Sequence, residues 1–169
     1  MNNQTYQLLN AQINEELYSA YLYLTFADHF EARGLRGFAN WYYIQTQEER
    51  DHAMLLRRYL LNEGKSPVME AVAKPDASFK TDLEVLEAAL EHERYITAKI
   101  NAIYKSAQAE DDFRTMQMLD WFVKEQGEEE DNARTQVDQY KLFGSDPMAL
   151  FNLDRENAAR VYAAPSLVL

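Results

Sequence analysis

A glutamate and a histidine three residues apart form the first pair in the sequence that could do chemistry together. Glu49 and His52 fall on one side of a predicted helix, because positions i and i+3 lie about a turn apart. Gln126 and Glu129 repeat the spacing further along the chain. Carboxylate oxygens and an imidazole nitrogen arranged in this way can reach neighbouring metal ions.

Each pair interrupts a helix face that is otherwise largely apolar, and single carboxylates, Glu16 and Glu93, interrupt two more such faces. Steps of four and three residues trace the four faces: Leu9, Ile13, Glu16, Ala20, Tyr23, Ala27 and Phe30; Phe38, Tyr42, Gln45, Glu49, His52, Leu56 and Tyr59; Leu86, Leu90, Glu93, Thr97, Ile100 and Tyr104; Leu119, Phe122, Gln126, Glu129, Ala133, Gln136 and Tyr140. Polar groups near the middle of all four faces predict that the faces meet at one buried site.

Such a site needs a cation, because burying an unpaired carboxylate costs several kcal/mol. Oxygen donors with one imidazole suit iron or manganese and, less selectively, zinc, and iron is chemically favoured. Each feature alone also has a simpler explanation. A single core-facing glutamate often reaches solvent along its stem, and Glu-x-x-His pairs recur on solvated helix faces. The coincidence on four faces favours the metal site.

Long helices are needed to position these faces, and the composition favours them. The 169 residues include only 5 Gly and 4 Pro, which fits one all-α domain over residues 1–169. The pattern predicts a four-helix bundle with one long crossover and a short fifth C-terminal helix. The predicted helices cover residues 4–33, 35–62, 82–107, 113–143 and 147–162.

Glycine, proline and capping residues mark the boundaries of these helices. Gly34 separates the first two, and residues 63–80, which include Lys74-Pro75-Asp76, predict the long crossover. Thr81 followed by Glu84 predicts a capping box at the start of the third helix. Gly144 predicts a left-handed turn that ends the fourth. No structure is predicted for residues 165–169.

The charge and composition exclude several classes of function. The formal net charge is -11, so the chain would be repelled by nucleic acid and by anionic lipid surfaces. The 0 Cys exclude disulfides and thiolate metal sites. The polar N-terminus and the lack of a long apolar run predict neither export nor a membrane span, which makes a cytoplasmic location the expectation.

The sequence resembles bacterial non-haem ferritin, a member of the ferritin-like di-iron superfamily, over nearly the whole chain. The resemblance rests on the segments Glu16-Leu17-Tyr18, Glu48-Glu49-Arg50-Asp51-His52, Glu91-His92-Glu93 and Glu125-Gln126-Gly127-Glu128-Glu129-Glu130. It implies that the bundle is a ferritin-like bundle.

The resemblance also implies a set of site residues. The first iron would be held by Glu16, Glu49 and His52. The second would be held by the bridging Glu49 with Glu93 and Glu129, and Gln126 would lie close by. The remaining matches are Tyr23, which corresponds to the tyrosine beside the centre, and the carboxylates of Glu48, Glu125 and Glu128, which with Glu129 would form a third iron site.

Other members of the superfamily fit the residues less well. Bacterioferritin-like chains place a haem-binding Met directly after the second-helix Glu, where this chain has Arg50, and this disfavours haem. Met54 is expected to pack rather than to bind haem. Mini-ferritins that coat DNA build their site between subunits, whereas one chain here can supply every donor. Rubrerythrin-like peroxidases commonly carry a Cys-rich module, and this chain has no Cys.

Three residues stand apart from this pattern. Gly127 lies within the fourth helix and costs about 1 kcal/mol relative to Ala, so either a helix irregularity or a close neighbour is expected. His29 and His92 fall one position off the apolar faces and are expected to be surface or interface groups rather than ligands.

The implied function is storage and detoxification of iron by a ferroxidase. Two Fe(II) ions held by a bridging carboxylate would give electrons to dioxygen or peroxide, and Fe(III) would be stored as an oxyhydroxide mineral inside a homo-24-mer cage. Two alternatives stay open. One is another di-iron carboxylate oxidase or peroxidase, and the other is a non-enzymatic helical bundle whose polar core groups satisfy one another.

Overall fold

The computed structural model describes residues 1–75 and 78–169, and Asp76, at the end of the predicted Lys74-Pro75-Asp76 break, lies outside the described residues. Five helices follow one another along the chain, in agreement with the predicted all-α class: α1 (Asn3–Ala32), α2 (Arg36–Asn62), α3 (Asp82–Gln108), α4 (Phe113–Phe143) and α5 (Pro147–Ala158). The bounds of the first four lie within one residue of those expected from the sequence.

Side-chain caps define where several helices begin. The Thr81 hydroxyl accepts from the backbone N–H of Glu84, and the Glu84 carboxylate accepts in return from the N–H of Thr81, which completes the capping box. At the starts of α4 and α5, the Asp112 and Asp146 side chains each accept from a backbone N–H three residues on, and Pro147 occupies the first turn of α5. These caps satisfy N–H groups that have no partner within their own helix.

Contacts at the two ends of the bundle establish its topology. The Tyr6 hydroxyl, near the start of α1, donates to the carbonyl of Ser66 just after α2 (2.8 Å). His29, near the end of α1, bonds to Asp82 at the start of α3 (2.9 Å). The connection after α2 therefore crosses from one end of the bundle to the other. Consequently α3 runs parallel to α2, and α4 returns parallel to α1.

Two apolar clusters fill the bundle interior, one towards each end. We call the one that contains Phe26, Phe30, Phe38 and Tyr42 the aromatic cluster, and its four named members have stacked or edge-on rings. The aliphatic cluster lies towards the other end, and its buried members are Leu9, Ile13, Ala53, Leu56, Tyr59, Leu60, Ile96, Ile100, Ile103, Met118, Leu119 and Phe122. The polar residues of the four predicted faces lie between the two clusters.

The structure corrects two boundary predictions. Helix α5 ends at Ala158 rather than at 162, because the Asn40 amide donates to the carbonyls of Asn157 and Arg160 and draws the chain away from a helical path. Gly144 has φ −65°, so the predicted left-handed turn is wrong. A Cβ at Gly144 would lie 2.6 Å from the carbonyl oxygen of Tyr140, which explains a glycine there by space rather than by conformation.

Within residues 1–75 and 78–169, no helix joins sufficient length to sufficient apolar character to cross a bilayer.

Candidate metal centre

The four carboxylates and the histidine of the four predicted faces are all buried. The exposed fraction is 1% for Glu16, 3% for Glu49 and Glu93, 2% for His52 and 6% for Glu129. Each comes from a different helix except Glu49 and His52, which share α2. The structure therefore places four carboxylates and one imidazole in a single layer between the two apolar clusters, and we call this the carboxylate layer.

Three members of the carboxylate layer already form a compact donor set. One donor atom each of Glu16, Glu49 and His52 lies within 4.8 Å of the others, which makes them the one group of three or more candidate ligands that meets this criterion within the described part of the chain. His52 Nδ1 is 3.4 Å from Glu49 Oε2. Gln12, one turn before Glu16, donates to Glu16 Oε1 (2.9 Å) and fixes that carboxylate.

The other two carboxylates of the layer are held by hydrogen bonds from amides and a phenol. Gln126 Nε2 donates to Glu93 Oε2 (3.1 Å), and Gln45 Nε2 donates to Glu129 Oε2 (3.0 Å). The Tyr23 hydroxyl donates to Glu93 Oε1. Each of these bonds favours the charged form of the carboxylate and orients its remaining oxygen lone pairs.

Several buried polar atoms of the layer have no hydrogen-bond partner among the described residues. They are Glu16 Oε2, His52 Nδ1 and Gln45 Oε1. A buried polar atom without a partner is costly, so these three atoms mark a place where a further group can bind. Two of the three atoms belong to the compact donor set, and their chemistry suits a divalent cation with hard oxygen and imidazole ligands.

Burial dominates the electrostatics of the carboxylate layer. It raises the pKa of Glu16 and Glu129 well above the ordinary value. The charge of Glu49 raises the pKa of Glu16 further, and the charges of Glu93 and Glu49 raise that of Glu129 further. Burial also raises the pKa of Glu49, and among the charges around it that of Glu93 raises this pKa most. The charge of His52 works in the opposite direction on Glu16 and Glu129. A bound divalent cation would reverse these shifts, because it stabilises the charged carboxylates.

The residues matched to a third iron site do not converge in the same way. Glu48 forms an ion pair with Arg160 (2.6 Å), and Glu128 forms one with Lys124 (3.1 Å). Burial raises the pKa of Glu48 and of Glu125, and the two carboxylates are close enough for the charge of Glu125 to contribute to the shift at Glu48. The three acids thus lie near one another, and two of them, Glu48 and Glu128, form ion pairs with cationic side chains.

A small cavity adjoins the carboxylate layer on the side of the aromatic cluster. Its volume is about 10 Å³, and Tyr23, Gln45, Glu93 and Glu129 are among its lining residues. This is about the space that one water molecule needs. A bulky organic substrate would not fit in this cavity.

Some residues of the site escaped the sequence analysis. Gln12 precedes Glu16 by four residues and bonds to it, so the helical period could have identified this contact. Gln45 was placed on a face, but its partner Glu129 lies on α4, which helical period does not predict. Thr97 was placed on a face, but its contacts with Gln126 (3.4 Å) and Glu130 (2.6 Å) were not foreseen. Arg160 carried no sequence signal.

The two remaining histidines lie outside the compact donor set. His29 Nε2 lies 2.9 Å from Asp82 Oδ1, and the Asp82 side chain is almost fully buried. His92 Nε2 is 2.7 Å from Ser19 Oγ, and burial lowers the pKa of His92 to about 4. His92 is therefore partly buried between α1 and α3, and its lowered pKa leaves it neutral at physiological pH.

Helical topology and a central carboxylate layer together define a four-helix bundle of the metal-binding carboxylate class. The comparisons identify the family within that class. Residues 6–143 match the family of ferritin-like domains. The chain therefore belongs to the ferritin family.

Individual relatives agree with this assignment. The chain is 37% identical to the bacterial non-heme ferritin of Campylobacter jejuni over 92% of its own length and 93% of the relative's. It is 36% identical to the bacterial non-heme ferritin of Bacteroides fragilis over 90% of the chain and 94% of the relative.

Solved ferritin structures superpose closely on the chain. An engineered closed form of the Archaeoglobus fulgidus ferritin has a TM-score of 0.93 with 39% identity, covering 96% of this chain and 99% of that one. An open-pore ferritin from the same archaeon has a TM-score of 0.92, also with 39% identity, covering 95% and 98%. The predicted ferritin-like fold is confirmed.

Proposed function

We propose that this chain is an iron-storage subunit that oxidises Fe(II) at the carboxylate layer. The observation that carries the proposal is the compact donor set, in which Glu16 Oε2 and His52 Nδ1 are buried without a partner among the described residues. A ferritin fold supplies the context, and the donor chemistry supplies the reason for a divalent cation.

In this proposal two Fe(II) ions are substrates, and the residues of the layer hold them side by side. Glu16 and His52 would bind the first ion, Glu93 and Glu129 the second, and Glu49 would bridge them. Each Fe(II) then gives one electron to the same dioxygen molecule, which is reduced by two electrons and takes up two protons to become hydrogen peroxide. Proximity is the catalytic contribution, because two one-electron donors act within one encounter.

The remaining polar groups would position these ligands. Gln12 and Gln45 fix one oxygen each of Glu16 and Glu129 and leave the other available. Tyr23 and Gln126 donate to different oxygens of Glu93, so they fix the orientation of that carboxylate through both of its oxygens. Such hydrogen bonds to metal-binding carboxylates typically change metal affinity or activity by about 10–100-fold when removed.

We further propose that the oxidised iron is stored as an oxyhydroxide mineral within a cage of 24 identical subunits. The superposition on Archaeoglobus fulgidus ferritins supports self-assembly. The net charge of -11 suits a protein that must attract Fe(II) and concentrate it. Size-exclusion chromatography with light scattering tests the assembly, since a monomeric or dimeric mass would contradict storage in a cage.

The ferroxidase proposal is tested by mixing metal-free protein with Fe(II) in air and following ferric absorbance. The double variant Glu49→Ala with His52→Ala removes the bridge and the imidazole, and the initial rate should fall by at least about tenfold. Zinc binding under anaerobic conditions should weaken in parallel.

Glu91→Ala is the matched control. It removes a carboxylate from α3 that is exposed and paired only with Arg94 in the described structure, so the rate should stay at the parent value. Equal rates for the parent and the double variant would instead favour a non-enzymatic bundle.

A further inference from the structure

The chain after α5 lies along the bundle, and we call residues 159–169 the C-terminal segment. The Tyr162 hydroxyl donates to Asp51 on α2 (2.5 Å). Further on, the indole N–H of Trp121 on α4 donates to Ser166 Oγ (3.0 Å), and Leu167 packs against the aliphatic cluster. The segment therefore follows α2 and contacts both α2 and α4 on one side of the bundle.

Arg160 is the most firmly held residue of this segment. Its guanidinium donates to Glu48 Oε2 (2.6 Å) and to the carbonyl of Trp41 (3.2 Å), and its central carbon lies 4.0 Å from the centre of the Trp41 ring. The Asn40 amide binds the carbonyl of Arg160 (3.1 Å). Only 17% of the Arg160 side chain and 16% of the Glu48 side chain are exposed.

These contacts place the guanidinium on one of the carboxylates that the resemblance matches to a third iron site. Glu48 immediately precedes Glu49, and its carboxylate shares a neighbourhood with that of Glu125. A guanidinium stays charged at every physiological pH, so it repels a divalent cation at the same carboxylate. By contrast, the Lys124–Glu128 pair on the other side of Glu125 is largely exposed and can exchange with solvent.

We propose that Arg160 is a tethered cation that occupies the Glu48 carboxylate and sets the affinity of a third metal ion for Glu48, Glu125 and Glu128. The inference rests on the proposed function, because it concerns the order in which the sites of that centre fill. A third ion binds only when the guanidinium leaves Glu48. The first two ions bind without this movement, since their ligands do not contact Arg160 in the described structure.

Anaerobic equilibrium titration with Zn²⁺ alone tests the inference without any redox reaction. The parent should bind two ions tightly and a third weakly. Arg160→Gln should strengthen binding of the third ion about tenfold, because a partly buried ion pair no longer has to be broken, and should leave the first two unchanged. An unchanged third affinity in a variant that still binds two ions tightly would overturn the inference.

Lys124→Gln is the matched control, since it removes the same charge from the neighbouring exposed pair. It should change the third affinity by less than about twofold. An equal gain in both variants would show that net charge alone sets the affinity, which also overturns the inference. Failure of the parent to bind two ions tightly would instead count against the proposed function.

A second measurement does not depend on the folding of Arg160→Gln. The chain has 2 Trp, so Trp121→Phe leaves Trp41, under the guanidinium, as the sole indole. Trp41 also lines the cavity beside Glu93 and Glu129, so its fluorescence should respond to the first two ions and then change further as the third Zn²⁺ binds. A change complete at two ions, or no change at all, contradicts the displacement of Arg160.

Discussion

The carboxylate layer and the aliphatic cluster are equally buried and yet differ in what holds them together. In the aliphatic cluster Leu9, Leu56 and Leu60 are 0% exposed, and apolar side chains surround them. In the carboxylate layer Glu16 and His52 are as deeply buried but have polar atoms without a partner among the described residues. One region is held together by apolar packing, whereas the other contains donor atoms that are free to bind a cation.

The difference shows where stability and function are divided in this bundle. Burial of apolar area favours folding with or without a metal, whereas buried charged carboxylates oppose it until protons or a cation neutralise them. Two apolar clusters flank the layer and hold it in place. The carboxylates therefore need not stabilise the fold in order to be well positioned.

The largest expected effect comes from weakening the apolar region. Leu56→Ala leaves a cavity in the aliphatic cluster, and the free energy of unfolding should fall by about 2–5 kcal/mol, measured by chemical denaturation of the metal-free protein. As the control, Val168→Ala removes apolar atoms from a residue that is 92% exposed, and the free energy of unfolding should change by less than about 0.5 kcal/mol. A loss below about 1 kcal/mol for Leu56→Ala would contradict a tightly packed cluster.

The opposite change is expected in the carboxylate layer. Glu129→Gln removes a buried charge and keeps the oxygen that accepts from Gln45, so the metal-free protein should become about 1–3 kcal/mol more stable at neutral pH. The raised pKa of Glu129 contributes stability below 4.5 that is lost as the pH rises through the folded-state pKa. The gain should therefore vanish in acid and grow with pH.

Denaturation across this pH range provides the measurement, with Glu128→Gln as the control because Glu128 is exposed. Saturating Zn²⁺ should stabilise the parent more than Glu129→Gln, since the parent has the additional ligand. A variant that is less stable than the metal-free parent at neutral pH would show that the carboxylate is already satisfied without a cation.

A third prediction concerns the pH dependence contributed by His92. Burial lowers its pKa from 6.5 to about 4, so protonation favours the unfolded chain and stability falls as the pH drops below 6.5. At pH 5.5 this loss should be about 1 kcal/mol. His92→Gln keeps a neutral acceptor for Ser19 and should remove that part of the acid-side slope. An identical slope in the parent and the variant would contradict a buried neutral imidazole.

The smallest effect is expected at Gly127. Apart from its chain neighbours and the backbone of its own helix, no described atom lies within 4 Å of a Cβ built there, and the backbone is helical, so neither expected reason for this glycine is found among the described residues. Gly127→Ala should stabilise the protein by about 0.5–1 kcal/mol in thermal denaturation. Gly37→Ala is the contrasting variant and should destabilise it, because its Cβ would lie 1.6 Å from the Asp154 carbonyl oxygen.

The sequence predicted those parts of the site that depend on helical period. Glu16, Glu49 and Glu93 were found because each interrupts an apolar face, and packing four such faces together necessarily brings their middles to one level. Gln12 could have been found by the same period. The fold class followed from few glycines, strong caps and one long crossover.

The rest depended on contacts between distant parts of the chain. The end of α5 was misplaced because the amide that draws the chain aside belongs to Asn40 on α2. Nothing near Arg160 in the sequence indicates that its partner is Glu48. His92 lies one position off the apolar face, and only the packing of α1 against α3 buries it. Pairings of this kind are fixed by tertiary structure rather than by local pattern.

The docking of α5 on α2 bears on how the start of α2 is held. The Asp154 carboxylate accepts from the backbone N–H groups of Gly37 and Phe38, so the fifth helix caps the second, which lies more than a hundred residues earlier. The start of α2 thus depends on a side chain from the far end of the chain. Opening of α5 would leave these two N–H groups without their partner, and amide hydrogen exchange at Gly37 and Phe38 would report that opening.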